Sequence, residues 1–232
     1  MQYKSVVQGT FIKRLNRFTA EVMLNGEKLL VHVKNTGRLK ELLLPDTPCG
    51  LCKAENPDRK TAYDLISVLH KGDWVNIDSF APNTVAGEFL KHGGLGEISI
   101  LKAEQFYVTS DAKERSRFDF YAEFVNGRKT YIEVKGVTLV EDGIAKFPDA
   151  PTTRGARHVS TLIDCVKQGF DACVLFVIQR KDALSFTPHQ KQDPDFTKTL
   201  QNAHKAGVKI YAIDCDVTAD TLSAGKFIEV NI

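Results

Sequence analysis

A strand, a helix and a second strand succeed one another between residues 172 and 214, and this run constrains the fold most. Residues 172–178 are seven consecutive apolar positions. With Gln179 they read as a strand buried on both faces. A helix is expected over 194–206, capped by Asp193 and ended by Gly207, then a strand over 208–214. Strands joined through a crossover helix lie parallel in one sheet, so the end of the chain belongs to an α/β layer. The same apolar run is the longest in the chain and is too short to cross a bilayer.

The first seventy-odd residues have a different period. Short strand candidates lie at 6–15, 18–24, 27–33, 49–54 and 62–69, with an Asn25-Gly26 hairpin turn between the second and third. Between the third and fourth, Thr36 to Pro45 reads as a short helical piece stopped by proline. Five strands with a helical insertion after the third follow the plan of a small OB-like β-barrel, a shape often used for nucleic acids; a barrel serving only as a spacer has the same pattern. We expect an OB-like domain over 1–78 and a mixed α/β domain over 79–232. In the second, a helix is expected through Glu88 to about Lys91, strands at 98–101, 104–109, 116–124 and 129–139, and a helix over 153–168. Gly93-Gly94-Leu95-Gly96 follows a helix rather than a strand, so it reads as a turn and not a phosphate loop, and an enzyme acting on a small phosphorylated metabolite ranks last.

The chemistry concentrates in Tyr131-Ile132-Glu133-Val134-Lys135 and, upstream, Arg117-Phe118-Asp119-Phe120-Tyr121. In a strand, residues two apart share a face about 7 Å apart, so Glu133 and Lys135 lie together while Ile132 and Val134 face a core. Charges in so apolar a run are costly unless a partner or a metal compensates them. Two carboxylates suit a hard ion such as Mg²⁺ or Mn²⁺, which lowers the pKa of water and neutralises phosphate charge. Lys135 could orient or deprotonate the attacking water. The residues alone leave open an ordinary Glu133–Lys135 ion pair. Two other acid-x-Lys triplets, Asp58-Arg59-Lys60 and Asp111-Ala112-Lys113, sit in polar turns.

Net charge is +2 but unevenly spread: residues 1–75 carry twelve Lys and Arg against eight Asp and Glu, residues 76–232 nineteen against twenty-one. A basic first part beside a carboxylate-bearing second part suits a polyanion such as DNA. Arg38, Lys40, Arg59 and Lys60 on the barrel loops are candidate phosphate contacts, as are Arg115 and Arg117 ahead of Asp119. The alternative for Arg117 is that it simply neutralises Asp119. On the helix over 153–168, Arg154, Arg157, His158 and Thr161 follow i, i+3, i+4, i+7, against an apolar stripe of Ala156, Val159, Leu162, Ile163 and Val166. That face meets either a phosphate backbone or only water. Five cysteines, three in apolar stretches, and no secretory h-region point to the cytoplasm, and no membrane association is expected. Cys49-Gly50-Leu51-Cys52 lacks a second pair of ligands and reads as two ordinary thiols.

The Asp119 and Glu133-Val134-Lys135 set resembles the PD-(D/E)XK nuclease signature, with Phe118 in place of its proline. Over nearly the full length the chain is similar to the sugar fermentation stimulation protein family. The segments that carry this are Asn35-Thr36-Gly37-Arg38, Leu42 to Pro45, Asn56 to Lys60, Ser116 to Phe120, Tyr131 to Lys135, Val137-Thr138-Leu139, Glu141-Asp142-Gly143, Phe147 to Ala150, Arg154-Gly155 with His158, and Phe176 to Arg180. Asp46 stands where the family often has glycine. The resemblance implies an OB-like domain followed by a PD-(D/E)XK nuclease-like domain with a mixed sheet, and DNA binding without clear sequence preference. It also implies a link to maltose metabolism as a regulator. By the same resemblance Asp119 and Glu133 are metal ligands and Lys135 the catalytic lysine. Glu88 is an accessory acid and Gln179 a further polar contributor. Oligomeric state, homodimer included, is left open.

Overall fold

The computed structural model describes residues 1–56, 58–112 and 115–232. Pro57 of the Asn56–Lys60 segment and Lys113 of the Asp111–Lys113 triplet lie outside them.

The first sheet is built from β1 (Val6–Arg14), β2 (Thr19–Leu24), β3 (Glu27–Val33), β4 (Pro48–Lys53), β5 (Tyr63–His70) and β6 (Asp73–Asn76). Their order is β3-β2-β1-β4-β5-β6, and a parallel β3–β5 pairing closes the first five strands into an OB-like barrel. Asn25 and Gly26 both have positive φ, as a two-residue hairpin turn of type I′ requires. Strand alternation sends Phe11, Ala20, Val22, Val31, Val33, Leu51 and Leu65 into the barrel. The expected helix over Thr36–Pro45 is absent: the segment is a series of turns. Leu39 has a φ of 50°, a left-handed conformation that a helix cannot continue through. Leu39, Leu42 and Leu43 instead plug the barrel, so burial outweighs their helical propensity. Arg14 staples this end of the barrel by donating to the carbonyls of Asn16, Arg17, Asn35, Gly37 and Arg38.

A second six-stranded sheet contains β7 (Ile98–Val108), β8 (Arg115–Phe124), β9 (Lys129–Val137), β12 (Asp171–Ile178), β14 (Lys209–Val217) and β15 (Leu222–Phe227), in the order β15-β14-β12-β9-β8-β7. The hairpin partners β7, β8 and β9 are antiparallel, while β9, β12 and β14 are parallel, so the sheet is mixed. The helix α1 (Ala81–Lys91) covers one face; α2 (Thr153–Lys167) and α3 (Pro194–Lys205) cover the other. On β12, Ala172, Val174, Phe176 and Ile178 face α2 and α3, whereas Cys173, Leu175 and Val177 face α1. This is the two-sided burial expected of a continuous apolar run. Asp193 caps α3 by accepting from Phe196 N at 2.9 Å. The short strands β10 (Val140–Glu141), β11 (Ile144–Phe147), β13 (Ser185–Pro188) and β16 (Glu229–Val230) form a small third sheet.

Barrel and sheet are locked together. Ser67 Oγ donates to Ala219 O at 2.8 Å, and Asn76 N donates to Gln179 O at 3.0 Å. Residues at the chain start run beside β15, with Gln2 bridged to Thr221. Among the described residues no helix is long and apolar enough to cross a membrane. All five cysteines are free. Cys49 and Cys52 both lie on β4 an odd number of residues apart, so their thiols point to opposite faces and cannot grip one ion. Burial pushes the Cys49 thiol up to about 12.

Candidate active site

The candidate residues meet where β8 and β9 part. Their pairing runs from Glu123↔Lys129 to Phe120↔Ile132 and is not continued beyond. At that point the pleat of β8 is interrupted: Phe118 packs on the α2 face of the sheet and Phe120 on the α1 face. Asp119 sits between them. Its Oδ2 accepts from the backbone N–H of Val134 at 2.7 Å, replacing a ladder bond, and its Oδ1 accepts from Asn83 Nδ2 of α1 at 2.7 Å.

Glu133 continues the row begun by Tyr131 toward α2 and is 2% exposed. Its Oε1 accepts from Lys135 Nζ at 2.5 Å and from His158 Nδ1 at 2.7 Å. Its Oε2 is buried with no hydrogen-bond partner among the described residues. An orphaned carboxylate oxygen of this kind costs on the order of 1–3 kcal/mol or more. Burial acts to raise the Glu133 carboxyl, but His158 and Lys135 outweigh it and hold the group below its ordinary value. Asp119 goes the other way: burial first, then the charge of Glu133, push its carboxyl up. Both carboxylates line one polar cavity of about 190 Å³ with Glu104, Arg117, Lys135, Arg154 and His158. Among the described residues no group of three or more His, Cys, Asp and Glu side chains is arranged to hold a metal. A cation here would therefore rest on two carboxylates and take its remaining ligands from water or substrate, as Mg²⁺ commonly does.

Other expected residues lie elsewhere. Glu88 is not brought to the site: it points toward the chain start, where Oε2 accepts from the Met1 ammonium at 2.7 Å, and it does not line the cavity. The helix spacing presents Asn83, five residues earlier, to Asp119 instead. Gln179 is buried at the junction of barrel and sheet, donating to Asn76 Oδ1 and Asp78 O. It lines a different cavity, of about 180 Å³, with Asn35, Ser79, Gly136 and Lys146. Arg117 pairs with Glu104 at 3.4 Å rather than with Asp119, and Arg115 lies 3.7 Å over the Phe106 ring.

The expected Arg154–Arg157–His158–Thr161 face of α2 does not exist as one surface. Arg154 and Arg157 are exposed, but His158 and Thr161 are buried. His158 is 5% exposed and committed to Glu133, and Thr161 bonds Ser116. Both face β8 and β9, so the arc of α2 buried on the sheet is wider than the apolar stripe alone. On the barrel, Arg38 and Lys40 are exposed and line a groove with Arg14 and Arg17. Arg59 is held by Asp64 at 2.7 Å, and Lys60 is exposed beside it. The Asn83–Asp119 and His158–Glu133 contacts are ones the spacing alone does not indicate. A polar residue in the first turn of a helix facing the sheet, and a histidine one turn after Arg154, were the available signals.

Residues 12–77 match the family described as the SfsA N-terminal OB domain. Residues 80–221 match the sugar fermentation stimulation protein RE domain. A sugar fermentation stimulation protein homolog from Clostridium tetani is 46% identical over 98% of this chain and 97% of its own. One from Desulfitobacterium hafniense is 45% identical over 100% and 99%. Among solved structures, Pyrococcus furiosus SfsA in complex with Ca²⁺ superposes with a TM-score of 0.84 at 26% identity, covering 100% of this chain and 98% of that one. With relatives matched end to end and both halves accounted for, the chain belongs to the sugar fermentation stimulation protein family.

Proposed function

We propose that this protein binds DNA and cleaves its phosphodiester backbone with the help of Mg²⁺ or Mn²⁺. The observation that carries the reading is Glu133 Oε2, a buried and unpartnered carboxylate oxygen sharing a cavity with Asp119. The donor set fits a hard cation, and the structural neighbour from Pyrococcus furiosus was solved with Ca²⁺, another such ion. Asp119 and Glu133 are the residues that would hold it. When bound, the ion supplies neutralisation of phosphate charge and a lowered pKa for water.

The chain's own residues do the rest. His158 fixes the Glu133 carboxylate in one rotamer by donating to Oε1, leaving Oε2 for the cation. Asn83 and the Val134 N–H hold Asp119 in the same way. Lys135, as an ammonium beside Glu133, orients the attacking water and offsets negative charge on the phosphate. Arg154, exposed at the cavity rim, suits a non-bridging phosphate oxygen. The purified protein should nick supercoiled plasmid with Mg²⁺ or Mn²⁺, and Lys135→Ala should abolish nicking without abolishing binding. Equal nicking by wild type and variant would overturn the reading.

A second reading is a non-catalytic, largely sequence-nonspecific DNA-binding regulator of sugar metabolism, maltose use included. The exposed Arg38 and Lys40 beside Arg17 favour it. It predicts affinity falling steeply with salt, and affinity independent of salt would dismiss it. Both readings take the protein to act in the cytoplasm.

A further inference from the structure

Phe18 on the barrel and Phe80 just ahead of α1 are exposed aromatic rings with cations beside them. Phe18 and Phe80 are 51% and 71% exposed, among the most solvated large apolar side chains in the protein. The Phe18 ring stacks on His32, with planes within 3° and centroids 6.4 Å apart, and Arg17 lies 5.5 Å from the Phe18 centroid. Lys34 lies 5.6 Å from the Phe80 centroid. His32, Lys34, Arg59, Lys60 and Phe80 line one open groove of about 410 Å³. Among the described residues His32 Nδ1 has no hydrogen-bond partner, lying 3.9 Å from Asp64 Oδ1.

We propose that this strip is a stacking platform for single-stranded DNA, which it feeds toward the carboxylate site. This rests on the DNA reading above and names the form of the substrate. The rings offer flat faces to bases, which a duplex cannot present because its bases are already stacked. Arg17 beside Phe18 and the exposed Lys60 suit the phosphates between those bases, while Lys34 and Arg59 are held by Asp78 at 2.8 Å and Asp64 at 2.7 Å. Phe80 is the residue preceding α1, and three residues on, Asn83 bonds Asp119. At 1.5 Å per residue the helix places these positions within about 5 Å along its axis. A strand stacked on Phe18 and Phe80 would therefore continue toward the cavity of Asp119 and Glu133. The substrate that fits is one with a single-stranded arm, and the duplex alone is the poorer ligand.

The test is fluorescence anisotropy in EDTA, so that cleavage does not enter, with a labelled oligothymidylate of about sixteen nucleotides and a duplex of equal length. The full-length protein should bind the single strand more tightly. Phe80→Ala and Phe18→Ala should each lower single-strand affinity about tenfold, and Phe80→Trp should retain it. Circular dichroism melts matching wild type show that these surface variants are folded. Equal affinity for the two probes, or single-strand affinity unmoved by either alanine, would overturn the proposal. Plasmid nicking by the same preparations reports separately on catalysis: nicking with no single-strand preference sinks only the platform, and preference without nicking sinks only the nuclease.

Discussion

Replacing Asp119 by asparagine should stabilise the protein in the absence of metal and remove its response to metal. After burial, the charge of Glu133 is what pushes the Asp119 carboxyl up in the folded protein. Like charges about 6 Å apart repel by ~3 kcal/mol at an effective dielectric of ~20. Lys135 and His158, both on Glu133 Oε1, offset much of that. A net relief of about 1 kcal/mol is what remains for the neutral variant. The hydrogen bonds survive: the new amide oxygen accepts from Val134 N, and its NH₂ donates to Asn83 once the Asn83 amide turns over. For a chain of this size 1 kcal/mol raises Tm by about 2–4 °C. The assay is differential scanning calorimetry in EDTA and then with Mn²⁺. Wild type should gain on the order of 2.7 kcal/mol at a hundred times Kd, and Asp119→Asn should gain little. A variant no more stable in EDTA, yet stabilised by Mn²⁺ as much as wild type, would refute the reasoning.

Three further outcomes follow from the same contacts. His158→Ala should weaken Mn²⁺ binding by about 10–100-fold, as loss of an orienting partner does, read by isothermal titration calorimetry. Arg14→Ala strands the five carbonyls that Arg14 holds and should cost about 2 kcal/mol in a urea melt. Asp182 accepts from Nε and Nη2 of the buried Arg180 guanidinium, each at 2.5 Å, and this pairing holds its carboxyl below the usual range. A depressed carboxyl stabilises above its unfolded pKa of about 3.9. That share is lost as pH falls through the lower folded value. Asp182→Asn should therefore be less stable at neutral pH by about 2 kcal/mol, below the cost for a fully buried pair because Asp182 is one-third exposed. It should also show a shallower acid limb in melts from pH 6 downward.

What could be read from the chain alone follows from how local each signal is. Glu27–Val33 and the run over 172–178 are strands by periodicity and composition, and the structure keeps them nearly to the residue. Asp119, Glu133 and Lys135 were legible because charges in an apolar strand stand out, and the structure brings the three to one cavity. Leu39 to Leu43 misled because helical spacing and barrel plugging both ask for leucine, and only tertiary burial decides between them. His158 misled because a wheel cannot show that β8 and β9 reach under the polar flank of α2, where His158 meets Glu133 and Thr161 meets Ser116. Asn83 and Glu88 share α1, and which of them faces the sheet depends on helix rotation, which packing sets.

The direct measurement is anomalous diffraction from crystals of the wild-type protein soaked in Mn²⁺. The account predicts one peak roughly 2 Å from a carboxylate oxygen of Asp119 and from Glu133 Oε2, with Lys135 and His158 still on Oε1. Density that places Mn²⁺ on other side chains, with Oε2 left bare at saturating Mn²⁺, would contradict it.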